Sequence, residues 1–109
     1  MSTIIRGTTP TLTFNVKNEQ MNLDNISEIW ITFKTKPGVK LVEKTYDKDD
    51  VTIDAANSTI TLSLSQEDTL AFADSNMFVQ VRLRMNDDMA FASAILDTSI
   101  GAILKEGVI

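Results

Sequence analysis

Nine residues late in the chain, MFVQVRLRM (Met77–Met85), constrain the fold more than any other stretch. Val79, Val81, Leu83 and Met85 fall on one side, and Phe78, Gln80, Arg82 and Arg84 on the other. A period of two is the repeat of an extended strand with one face covered and one open. A helix would scatter both sets around its circumference. The segment therefore predicts a half-buried strand in an antiparallel sheet.

The same alternation recurs along the chain. TLTFNV (Thr11–Val16) places Leu12, Phe14 and Val16 together, after a proline that a strand start tolerates. EIWITFKT (Glu28–Thr35) turns Ile29, Ile31 and Phe33 inward, with Trp30, Thr32 and Lys34 outward. Pro37-Gly38 marks a turn into VKLVEKTY (Val39–Tyr46), where adjacent Leu41 and Val42 blur the pattern. Val51 and Ile53 mark a short strand, and TITLSL (Thr59–Leu64) another, with a tight turn over Ala56-Asn57-Ser58 between them. MAFASAIL (Met89–Leu96) returns after Asn86-Asp87-Asp88. Seven or eight short strands separated by turn signals predict an all-β, immunoglobulin-like antiparallel sandwich. With 109 residues, the chain has the length of one domain.

One piece departs from this rhythm. SQEDTLAF (Ser65–Phe72) carries a helix start: Ser65 as N-cap, Glu67 and Asp68 in the first turn, and Asp68 where a capping box usually has Glu or Gln. Leu70 and either Ala71 or Phe72 can then plug one end of the sandwich. The reading preferred here is a crossover lid on the core rather than a ligand site.

Composition narrows the function. The sequence has no cysteine and no histidine, which removes thiolate chemistry and the usual neutral-pH base and metal ligand. No enzyme activity and no cofactor are expected. A net charge of −5, with Lys and Arg scattered, argues against nucleic acid as a partner. The start MSTIIRGTTP lacks a signal-peptide pattern, and no apolar run approaches the ~20 residues that span a bilayer. No membrane association is expected, and the producing cell's cytoplasm is the expected compartment.

Several residues are candidates for chemistry or contact. Asp47, Asp49, Asp50 and Asp54 cluster, but counting an EF-hand loop from Asp47 puts Val51 fifth, Thr52 sixth and Ser58 twelfth. Those positions need an oxygen ligand, Gly and Glu, so a solvated acidic turn is the better reading. Trp30 and Phe78 point outward, where aromatics either form interfaces or are covered by a loop. Arg82 and Arg84 share that outward side. The apolar tail Ser99–Ile109, with Ile103, Leu104, Val108 and Ile109, either folds back or docks on a neighbour.

Taken together, IIRGTTPTLTFNV, ISEIWITFKTKPG, VTIDAANSTITLSLSQEDTLAF, VQVRLRMNDDMAFASAIL and GAILKEGVI resemble a known family. They are similar to small β-sandwich proteins of tail and baseplate regions in phages and prophages of Gram-positive bacteria, and to the N-terminal domain of baseplate upper proteins. There an Arg-Gly-Thr-Thr type entry (here Arg6–Thr9) leads into the first strand, and a Leu-Ser-x-x-x-Thr connector (here Leu64–Thr69) into a VQVR-type strand. The resemblance implies a non-enzymatic virion assembly module that binds other virion subunits as a homo-oligomer or hetero-assembly. Baseplate upper proteins continue into a stalk or receptor-facing domain, whereas this sequence stops at Ile109, so an adaptor or decoration subunit is expected. The candidate interface is Trp30, Phe78, Arg82, Arg84, Ile103, Leu104, Val108 and Ile109. The alternative is a carbohydrate- or small-ligand-binding β-sandwich, with Trp30, Phe78 and Arg82 as stacking and polar contacts.

Overall fold

The computed structural model describes residues 3–16, 25–35, 40–46, 51–72, 76–93 and 95–109. Within them the elements run β1 (Ile4–Ile5), β2 (Thr11–Asn15), β3 (Ile26–Thr35), β4 (Lys40–Thr45), β5 (Val51–Asp54), β6 (Thr59–Ser63), α1 (Gln66–Leu70), β7 (Met77–Met85), β8 (Ala90–Ala92), β9 (Leu96–Thr98) and β10 (Ile100–Gly101). The strands make an antiparallel β-sandwich. One sheet has the order β2-β6-β5, and the larger has β4-β3-β7 with β8 and β9 both against β7. The short β1 and β10 pair in parallel and tie the N-terminal segment to the tail.

The alternation in the sequence is what fills the space between the sheets. Ile29, Ile31 and Phe33 of β3 and Met77, Val79, Val81, Leu83 and Met85 of β7 are buried. They meet Phe14, Ile60 and Leu62 of the smaller sheet in one apolar cluster. Each such side chain taken from water stabilises the fold by about 1.5–3 kcal/mol, which fixes both registers against a one-residue slip.

The helical connector closes one end of this core. Ser65 Oγ accepts from the Asp68 N–H at 3.1 Å, and Asp68 Oδ2 accepts from the Ser65 N–H at 2.9 Å. The capping box is thus complete, with Asp in place of the longer Glu. The buried Thr69 hydroxyl donates to Thr8 O at 2.8 Å, and Arg6 Nη2 donates to Leu70 O at 2.9 Å, satisfying a carbonyl at the helix end. Phe72 enters the core with its ring centroid 5.2 Å from that of Phe33. The lid reading fits this packing.

Three local features differ from the sequence expectation. There are ten strands among the described residues, not seven or eight, because the two-residue β1 and β10 pair and because Met89–Leu96 is broken. At the break the Ser93 N–H still donates to Val81 O at 2.8 Å, but the Val81 N–H donates to the Ser93 side-chain Oγ at 3.0 Å, so one of the two ladder bonds is lost there. In β4 the register skips from Phe33↔Val42 to Lys34↔Lys40, a bulge in the ladder. Lys44, opposite inward-facing Ile31, remains shielded at 18% exposure and reaches Asp68 Oδ1 at 2.9 Å. That ion pair joins the larger sheet to the lid.

Candidate functional site

The outer face of the larger sheet is set by the residues that the core leaves over. Antiparallel pairing places Glu28 beside Arg84, Trp30 beside Arg82 and Thr32 beside Gln80 across β3 and β7. On the other side of β3, Trp30 lies opposite Thr45 and Thr32 opposite Glu43. On the far side of β7, Ala90 and Ala92 face Arg84 and Arg82. Bulky groups on β3 and β7 next to a methyl-sized row on β8 leave a depression. It is a concavity of about 320 Å³ lined by Glu28, Trp30, Thr32, Glu43, Arg82, Leu83, Arg84 and Ala90.

A bulge positions one corner of it. The β3–β7 register passes from Ile26↔Met85 to Glu28↔Arg84, skipping Ser27, whose hydroxyl donates to Arg84 O at 3.1 Å. Arg84 Nη2 then sits 3.2 Å from Glu28 Oε1, and Nη1 lies 3.0 Å from Asp88 Oδ1. The hydrogen bond and charge of Glu28, then those of Asp88, hold the Arg84 proton more firmly than usual. Trp30 Nε1 makes a long 3.4 Å donation to Glu28 Oε2. At the opposite corner Thr32 Oγ1 donates to Glu43 Oε2 at 2.9 Å.

The residues singled out from sequence divide accordingly. Trp30 (41% exposed) and Arg82 are brought together in the concavity. Arg84 also lines it, and its guanidinium is bound within the chain by Glu28 and Asp88. Phe78 is half-buried, pairs with Lys34 and Asp97, and does not line the concavity. Ile103 is half-buried and would meet a Cβ placed on Gly7 at 3.2 Å. Leu104, Val108 and Ile109 are exposed, and the Ile109 N–H donates to Gln66 Oε1 at 2.9 Å. With Arg6 Nη1 3.0 Å from Glu106 Oε1, the tail folds back beside β1 and α1, away from the concavity.

Glu28, Thr32 and Glu43 were not singled out from the sequence. Glu28 and Thr32 share Trp30's phase in the alternation and were legible from it; Glu43 needs the cross-strand register. Of the acidic cluster, Asp47, Asp49 and Asp50 lie outside the described residues. Asp54 accepts from Asn57 Nδ2 at 2.7 Å, and the side-chain and backbone hydrogen bonds of Asn57 hold its carboxyl below the usual aspartate range. Among the described residues no three acidic side chains gather to hold a metal ion. Among them, too, no helix is long and apolar enough to cross a membrane.

No family model and no curated protein matches the chain. Among solved structures, CopC from Methylosinus trichosporium OB3b is similar over 98% of this chain and 91% of its own, with a TM-score of 0.56 and 11% identity. A likeness at that identity is one of fold, and the fold is a β-sandwich. The expectation of a phage tail or baseplate adaptor or decoration subunit is corrected by this comparison. The structure similar over nearly the whole chain is CopC, and neither a family model nor a curated protein links the chain to phage tails or baseplates. Over the described residues, the segments quoted for the resemblance are strands, turns and a helix cap.

Proposed function

We propose that this chain is a non-catalytic ligand-binding β-sandwich, and that its ligand is a sugar or sugar-like ring seated on Trp30. The observation that carries the reading is the concavity of about 320 Å³ beside a partly exposed tryptophan, rimmed by Thr32, Glu43 and Arg82. Small-ligand sites are concave, begin near 300 Å³, and combine an apolar platform with a few placed polar groups. A pyranose offers an apolar C–H face to an aromatic ring and hydroxyls to carboxylates and guanidinium groups around it. Glu28 and Glu43 already accept hydrogen bonds within the chain, which fixes their carboxylates as acceptors for ring hydroxyls.

The test uses the only tryptophan in the sequence. Titration with a panel of neutral and acidic monosaccharide glycosides shifts or quenches Trp30 emission, and Trp30→Ala removes binding measured by calorimetry while keeping the β-sheet circular dichroism. An unchanged emission across the whole panel, with no calorimetric heat, refutes the proposal.

A further inference from the structure

The seven other residues around the concavity do not explain Arg82. Arg84, two positions along the same strand face, is consumed by Glu28 and Asp88. Glu43 is engaged by Thr32. Arg82 is exposed, lines the concavity, and among the described residues has no hydrogen-bond or ion-pair partner. It stands directly across the β3–β7 pair from Trp30. Directly opposed residues hold their Cβ atoms about 5 Å apart, so the indole and the guanidinium flank the same small volume.

Resting on the ligand-binding reading above, we infer that the ligand is an acidic sugar whose ring carboxylate is held by Arg82 while the ring stacks on Trp30. A planar guanidinium fork matches a carboxylate with two parallel N–H···O bonds. A phosphate ester fits less well. It brings nearly two negative charges, and the only other guanidinium lining the site is already bound to two carboxylates. Glu28 and Glu43 lie within the same concavity and oppose a second negative charge. A single carboxylate set against Arg82 leaves the hydroxyls of the ring for Thr32 and Glu43.

The experiment compares methyl β-D-glucuronide with methyl β-D-glucoside, which differ at the carboxylate alone, by Trp30 fluorescence and calorimetry. The wild-type protein is expected to bind the glucuronide about fivefold or more tightly than the glucoside, the scale of an exposed bidentate ion pair. That advantage should shrink as salt is raised from 20 to 500 mM. Arg82→Gln should abolish the preference, bringing the affinities for the two glycosides together, and Arg82→Lys should restore part of it. Equal affinity for the two glycosides, or a preference that survives Arg82→Gln, overturns the inference and leaves the ligand-binding reading standing. Silence from both glycosides in the wild-type protein overturns the inference, and silence across the whole glycoside panel overturns the ligand-binding reading with it.

Discussion

Replacing Phe72 with alanine tests whether the helical connector is a lid on the core. Phe72 is 2% exposed, and its ring meets Phe33 at a centroid distance of 5.2 Å with 32° between the planes. Truncating a buried Phe to Ala costs about 3–5 kcal/mol, through lost transfer energy and the cavity left behind. The ring pair, worth about 0.5–1.5 kcal/mol beyond its area, places this site in the upper half of that range, at about 4 kcal/mol. A chain of this size has about 5–15 kcal/mol in total, so Phe72→Ala sits near the folding threshold. Phe72→Leu, at about 1–2 kcal/mol, supplies a folded comparison. Urea denaturation followed by circular dichroism should show lowered midpoints with an unchanged slope. A loss below about 1.5 kcal/mol for Phe72→Ala would refute the lid, since the side chain would then be filling nothing the fold depends on. Sugar binding by Phe72→Leu should equal that of the wild-type protein, because α1 and the concavity share no lining residue.

Two further outcomes follow from the same geometry. Burial raises the Asp68 carboxyl, but the Ser65 N–H, Lys44 and the Ser65 hydroxyl outweigh it and hold it below the ordinary aspartate value. A carboxyl depressed in the folded state contributes stability that is present above its unfolded value of about 3.9 and is lost as pH falls through the folded value. Asp68→Asn should therefore flatten the acid limb of a stability–pH curve measured by urea melts, and an unaltered limb would show that the pair with Lys44 is idle. Gly7 has φ +77°, and an added Cβ would lie 3.2 Å from Ile103 Cδ1. At Gly101 the added Cβ would come within 2.5 Å of Ile5 Cδ1, but that atom ends a side chain that is 42% exposed and can swing away. Gly7→Ala should cost about 1–2 kcal/mol and Gly101→Ala less, an order that thermal melts of the two variants would verify or reverse.

Much of the fold was legible because its cause is local. Ile29, Ile31 and Phe33, and Val79, Val81 and Leu83, face inward by strand geometry alone, and burial of one face forbids the alternative register. Ser65 and Asp68 announced α1 for an equally local reason, since both capping bonds close within four residues. What was not legible depends on contacts between distant segments. Lys44 looks like a surface lysine until β4 is paired with β3 and Asp68 is carried over it by the crossover. The broken strand at Ser93 and the two-residue β1 and β10 exist because a neighbouring backbone offers the right groups, which no periodicity records.

The two arginines of β7 show where that boundary runs through the site itself. Arg82 and Arg84 have the same side chain, strand and face, and from sequence nothing separates them. Their fates part in the register, which sets Glu28 opposite Arg84 and Trp30 opposite Arg82. With Asp88 four residues on closing from the other side, Arg84 becomes a wall of the site. Arg82 faces Trp30 across the pair and the methyl of Ala92 on its far side, neither of which can accept a charged hydrogen bond. A guanidinium so placed keeps its fork for a group from outside. The difference between the two arginines is thus a property of register: moving β3 by two residues against β7 would set Arg84 opposite Trp30 and Arg82 opposite Thr32, or Arg82 opposite Glu28 and Arg84 opposite Ile26, without altering a single amino acid.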